Sequence, residues 1–173
     1  MKKNIVLTGI MGCGKTSIGI AISYKLKMPV VDMDKIIERT SKMTINEIFE
    51  KHGEEYFRNL ETETAKRLSN LNGYIISTGG GVVLRKENMD YLSKTGYVIY
   101  INRTPDDIVK SVKTENRPLL ASGADKLYQI YEERHSLYTK YSDITVNNNA
   151  DFNRGVENVL YAIDLLKEEQ NDA

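Results

Sequence analysis

A chain of 173 residues can bury one substantial core and falls within the size range of a single domain, so one domain over 1–173 is expected. Lys plus Arg and Asp plus Glu number 24 each, which excludes a global field drawing the chain to nucleic acid or to an anionic membrane; any anion must be held by local structure. The single cysteine, Cys13, excludes an internal disulfide and leaves too little thiol for a Cys-based metal site, which points to a reducing, cytoplasmic setting.

Met1 to Thr8 begins like a basic leader, but Gly9, Gly12, Gly14 and Lys15 interrupt its apolar run too early for a signal sequence. It reads as a first strand, Ile5 to Leu7. No segment approaches the roughly 20 apolar residues that span a bilayer.

Next, Gly9-Ile10-Met11-Gly12-Cys13-Gly14-Lys15-Thr16 matches G-x-x-x-x-G-K-[ST] between that strand and a helix, the context the motif's mechanism requires. Glycines let the backbone turn successive N–H groups inward, where they and the positive end of the following helix hold phosphate oxygens. Lys15 would bridge the β- and γ-phosphates, and the Thr16 hydroxyl would ligate Mg²⁺. The alternative is a glycine-rich turn that binds nothing. Cys13 reads as a small residue at an unspecified loop position, since no His lies nearby in sequence to activate it.

A second strand at Val30 to Val31 leads into Asp32 and Asp34, at the sheet edge where doubly wound folds bind ligands. Read as continued extended chain, the segment sends Asp32 toward the phosphate loop to hold Mg²⁺ through water, and Asp34 toward a second ligand whose hydroxyl proton it accepts. Alternatively, one of the two is simply the N-cap of a helix over Lys35 to Arg39.

The stretch 34–72 is too long for one crossover and predicts two or three helices. Ile45, Ile48 and Phe49 recur at helical spacing, Gly53 breaks the pattern, and Tyr56, Phe57, Leu60 and Leu68 resume it. A substrate-binding insertion over about 33–61 is expected. Arg58 and Glu61 lie three apart on one helical face, as a surface ion pair or as an acid orienting its arginine.

A third strand, Tyr74 to Ser77, runs into Thr78-Gly79-Gly80-Gly81, where three glycines suit close backbone approach to a ligand, or form a loose turn. Tyr97 to Ile101 is the fourth strand. The charged, irregular stretch 114–125, with Pro118 and Gly123, is a candidate lid over about 112–124 carrying Arg117. Tyr128, Tyr131, Tyr138 and Tyr141 read as amphipathic packing, and His52 and His135 receive neither a metal nor a base role. Ile144 to Val146 is the fifth strand, and the polar segment 147–153 matches no pattern. Strands alternating with helices give the fold class: α/β, a three-layer α/β/α arrangement around a five-stranded parallel sheet.

From Asn4 to Asp143 the chain resembles the shikimate kinases of the nucleoside monophosphate kinase-like P-loop branch. The phosphate loop, Asp32-x-Asp34-x-x-Ile37-Glu38, Ile48-Phe49, Gly53-Glu54, Phe57-Arg58-x-x-Glu61, Gly79-Gly80-Gly81, Arg117-Pro118-Leu119-Leu120 and Arg134-x-x-Leu137-Tyr138 carry the likeness in order and spacing. The resemblance implies phosphorylation of the shikimate 3-hydroxyl by ATP with Mg²⁺, a step of aromatic amino acid biosynthesis, by a monomer. It implies that Asp34, Arg58, Gly79, Gly80, Gly81 and Arg134 line the shikimate pocket, with Asp34, Lys15 and Arg117 catalytic. It further implies that Gly12, Cys13, Gly14, Lys15, Thr16, Ile18, Lys110 and Arg117 contact the nucleotide. Lys110 stands where the family commonly carries an Arg stacked on adenine. Arg suits the acid because its planar fork pairs with a carboxylate through two charge-assisted bonds.

The rival readings are a gluconate or nucleoside monophosphate kinase of the same branch, a GTP-dependent switch, and a non-catalytic nucleotide-binding module. Asn148-Asn149-Ala150-Asp151 lacks the Lys of a guanine-reading N-K-x-D pattern, which disfavours the switch.

Overall fold

The computed structural model describes residues 2–114, 123–149 and 151–171. In chain order the elements are β1 (Asn4–Thr8), α1 (Lys15–Leu26), β2 (Val30–Asp32), α2 (Met33–Ser41), α3 (Ile45–Leu68) and β3 (Ile75–Ser77). A single 3₁₀ turn (Val82–Leu84) follows, then α4 (Lys86–Thr95), β4 (Gly96–Asn102), α5 (Pro105–Thr114), α6 (Ala124–Tyr141), β5 (Ile144–Asn147) and α7 (Phe152–Asn171).

All five strands are parallel, in the order β2-β3-β1-β4-β5. A parallel sheet is covered on both faces, which explains why its central strands are apolar runs without alternation: every residue of β1 is buried, as are Gly96 to Ile101 of β4. Two layers of helix do the covering. Leu7 faces α1 and packs beside its Gly19, where a Cβ would sit 3.4 Å from Leu7 Cδ1, in ordinary contact. Thr8 and its β4 partner Tyr100 face the other way, where the Tyr100 ring stacks on Tyr138 of α6 at 4.9 Å. The result is the α/β/α sandwich expected from the alternation of elements.

Order along the sheet matters more than strand boundaries. From β1 the chain leaves to β2 and returns to β3 on one side, then crosses to β4 on the other. The carboxyl end of β1 is therefore the point where strand order reverses, where sheets of this type open a crevice for ligands.

Between β2 and β3 lie α2 and α3, and Gly53 kinks the latter with φ 80° and ψ 174°. Ile37, Ile48 and Phe57 form a small separate core beneath this excursion. Its start is fixed locally: the Thr44 side chain accepts from Glu47 N at 3.2 Å while Glu47 Oε2 accepts from Thr44 N at 2.8 Å, a reciprocal cap. Thr44→Ala should lower Tm by about 2–4 °C in a thermal melt, the usual cost of losing such a cap in a chain of this size.

Candidate active site

The turn after β1 has φ 144° at Gly9, 79° at Gly12 and 102° at Gly14, values that side chains with a Cβ rarely adopt. No side chain caps α1 at Gly14, so the positive end of that helix faces the loop. Lys15 is buried inside the turn and donates to the carbonyls of Gly9 at 2.7 Å and Ile10 at 2.9 Å. Cys13 is buried, and its Sγ fills the space a Cβ on Gly9 would need, 2.6 Å away. Ile18 is also wholly buried in the core, its side chain packed toward Gly14 and Gly155. Lys110 is at the opposite extreme, its side chain 77% exposed and its Nζ 3.9 Å from Asp107 Oδ1.

The two second-strand acids diverge for a different reason from the one expected. On extended chain, residues two apart would share a face. Here the strand stops at Asp32 and Asp34 already lies in the first turn of α2. Asp32 is the N-cap, accepting from Lys35 N at 3.2 Å through one oxygen, while the other accepts from the Thr16 hydroxyl at 2.9 Å. Capping and contact with the phosphate loop are thus compatible roles. The Thr16 hydroxyl also lies 3.1 Å from Ser77 Oγ. A hydroxyl and a carboxylate beside a phosphate cradle are hard oxygen donors of the kind that hold Mg²⁺ with few protein ligands, so the residues present fit that ion. Among the described residues there is no group of three or more His, Cys, Asp or Glu able to hold a metal alone.

Asp34 turns the other way. Its Oδ1 and Glu61 Oε1 both crowd the face of Gly79, at 2.8 and 2.9 Å from where a Cβ would stand. Burial raises the Asp34 pKa above its ordinary value, and the Asp32 charge adds to this, against the opposing pull of Lys15 and Arg58. Glu61 is raised as well, chiefly by burial, with Arg58 opposing.

Arg58 and Glu61 form a buried pair at 2.9 Å, so the surface ion-pair alternative does not hold. The Nη end of the guanidinium abuts the backbone of Gly81, where a Cβ would come within 2.1 Å of Nη1. Arg134, from α6, donates through Nη1 to the Gly80 carbonyl at 3.1 Å. Gly80 is the junction of the two halves: a Cβ there would meet Met11 N at 3.6 Å on one side and Arg134 Nη1 at 3.9 Å on the other. Here the sheet brings together the phosphate loop and a cavity of about 530 Å³ walled by Asp34, Phe57, Arg58, Glu61 and Arg134. Glu61 Oε1 and Arg134 Nε are buried in this wall without a hydrogen-bond partner. A cavity offering two guanidiniums, a buried carboxylate and a glycine floor suits a small polyhydroxylated acid. Arg117 and residues 115–122 of the expected lid lie outside the described residues.

Sequence reasoning missed two residues here. Asn148, just past β5, is buried and donates to the Cys13 carbonyl at 2.9 Å, tying the segment after β5 to the phosphate loop. Tyr138 donates to the same Gly80 carbonyl as Arg134, four residues earlier on α6. The signal was a polar residue at a strand end for Asn148; for Tyr138 it was its place in the Arg134-x-x-Leu137-Tyr138 motif, which named the residue but not its partner. His135 is half-buried, and its Nδ1 lies 2.9 Å from the Tyr100 hydroxyl.

Comparison with known proteins agrees with this geometry. The shikimate kinase family model matches residues 11–164. A shikimate kinase of Clostridium beijerinckii is 40% identical over 159 residues, covering 92% of this chain and 94% of that one. A shikimate kinase of Caldicellulosiruptor saccharolyticus is 49% identical over 129 residues, 74% of each chain. Among solved structures, the shikimate kinase of Acinetobacter baumannii in complex with shikimate superposes with a TM-score of 0.84 at 28% identity, covering 98% of this chain and 95% of that one. A phosphate loop, a guanidinium-lined acid cavity meeting it at Gly80, and a family match over most of the length lead to one assignment: the chain belongs to the shikimate kinase family and is a phosphotransferase.

Proposed function

We propose that this chain transfers the γ-phosphoryl group of ATP to the 3-hydroxyl of shikimate, giving shikimate 3-phosphate and ADP. The observation that carries the reading is the meeting of two unlike anion sites at Gly80, one built from backbone amides and Lys15, the other from Arg58 and Arg134.

In this reading Arg58 and Arg134 hold the ring acid by its carboxylate, and Asp34 accepts a hydrogen bond from the reacting hydroxyl. As that oxygen forms its bond to the γ-phosphorus, the bond from phosphorus to the bridging oxygen of ADP breaks and the hydroxyl proton passes to Asp34. The raised pKa of Asp34, caused chiefly by burial, makes it a stronger proton acceptor than an ordinary aspartate. Lys15 leaves the Gly9 and Ile10 carbonyls to pair with the β- and γ-phosphates, and Arg117 neutralises charge on the transferred group. Thr16, and Asp32 through water, would hold Mg²⁺, which when bound neutralises charge on the β- and γ-oxygens. Gly12, Cys13 and Gly14 offer backbone N–H groups to the phosphates, and Lys110 lies over the base. Most of the acceleration comes from positioning and charge neutralisation rather than covalent chemistry. The site works as a single chain, in the cytoplasm; among the described residues no helix is long and apolar enough to cross a membrane.

The test is ADP release from Mg-ATP with and without shikimate. Strong dependence on shikimate is expected, with gluconate and nucleoside monophosphates inactive as acceptors. ATP binding without shikimate-dependent ADP release would instead indicate a nucleotide-binding module.

A further inference from the structure

We propose that Glu54 is an internal competitor for the ligand's carboxylate, and so sets the affinity and charge selectivity of the acid cavity. This rests on the reading of Arg58 as a partner of that carboxylate.

Three sides of the Arg58 guanidinium are committed. Nη1 donates to Glu61 Oε2 at 2.9 Å, the Nη end abuts Gly81, and the Phe57 ring centroid is 5.2 Å from Cζ. What remains is the edge formed by Nε–H and Nη2–H, a parallel pair of donors matched to the two oxygens of a carboxylate. Both donate to one oxygen of Glu54, at 3.3 and 3.2 Å. A ligand carboxylate can take that edge only by displacing Glu54.

The two acids on Arg58 are not equivalent. Glu61 has a side chain 1% exposed, whereas that of Glu54 is 63% exposed at the cavity wall. Glu54 follows the Gly53 kink directly, and so stands at the start of the second helical segment, four residues before Arg58. Released, its carboxylate returns to water at little cost, since exposed pairs of this kind are weak and screened by salt. An anionic ligand recovers what Glu54 gives up, but a neutral polyol does not. Glu54 therefore acts as a weak gate that favours acids over uncharged ring compounds of the same shape.

The experiment is steady-state kinetics of Glu54→Gln with shikimate at saturating Mg-ATP, in low and high salt, with Arg58→Ala alongside. At low salt the KM for shikimate should fall about two- to fivefold, with the change in KM rather than in kcat, and the advantage should shrink in high salt. A KM that is unchanged or raised in Glu54→Gln, while Arg58→Ala raises it strongly, overturns the competitor and leaves the carboxylate reading intact; a raised value would make Glu54 a positioning residue for Arg58. If Arg58→Ala leaves KM unaltered, the carboxylate reading falls, and the competitor with it.

Discussion

Asp34→Asn is expected to lower kcat by about 10²- to 10⁴-fold, the usual contribution of a positioned general base, while nucleotide affinity stays nearly constant. The carboxamide keeps the size of the side chain and can still accept a hydrogen bond from the reacting hydroxyl, but it cannot take the proton. Affinity for nucleotide should be spared because Asp34 faces Gly79 and Glu61, whereas Thr16 is held by Asp32. Stopped-turnover kinetics with both substrates, beside calorimetric titration of Mg-ATP, separates the two effects. An unchanged kcat would remove Asp34 from the chemistry. In the unsubstituted protein the base must be deprotonated to act. Burial and the Asp32 charge raise its pKa, so activity should be lost on acidification at a pH above the ordinary aspartate range. Asp34→Asn should abolish that limb of the profile.

Arg58→Ala should raise the KM for shikimate by about 10²-fold and also destabilise the fold, by about 3–5 kcal/mol, because it strips the partner from a buried carboxylate. Both effects come from the same place: Arg58 is held against Gly81 by Glu61, whose side chain is essentially inaccessible. Stability should depend on pH in a defined sense. Burial already raises the folded-state pKa of Glu61 above its ordinary value, and the Arg58 charge and hydrogen bond are what oppose that rise. A carboxyl raised on folding is neutral in both states at low pH and costs stability as pH climbs from the unfolded pKa through the folded one. Without Arg58 the rise is larger, so the stability deficit should widen between acidic and neutral pH. Chemical denaturation of the two proteins across that range gives the measurement. A deficit independent of pH would assign it to lost packing on Phe57 and Gly81. Equal loss of shikimate and nucleotide binding would contradict the placement of Arg58.

Much of the fold was legible because its signals are local. β-branched runs bounded by polar segments marked all five strands, and the glycine spacing after β1 matches a turn of positive φ at Gly9, Gly12 and Gly14. The Gly53 break in apolar periodicity corresponds to a real kink. Where local geometry changed abruptly, the reading failed: Asp32 and Asp34 part company because the chain switches from strand to helix between them. The Ile18 side chain is wholly buried, a degree of burial that helical position alone does not announce.

Residues that support the site from a distance were hidden for the same reason. Asn148 reaches the phosphate loop across 135 residues of sequence, Tyr138 reaches Gly80 across 58, and neither stands in a pattern that names its partner. His135 had no partner in sequence; the meeting of β4 and α6 gives it Tyr100.

By itself the sequence determined the kinds of chemistry present: a turn able to bind phosphate, two acids behind a strand, guanidiniums suited to a carboxylate, and glycines permitting close approach. Only the tertiary structure decided which of these act on one another. Strand order seats β3 beside β1, so that Gly80 touches Met11, and burial converts Arg58 and Glu61 from an ordinary helical pair into a desolvated one. The physical reason is that residue type and spacing set local geometry, whereas dielectric environment and partner identity depend on segments distant in the chain, which meet only once the sheet is assembled.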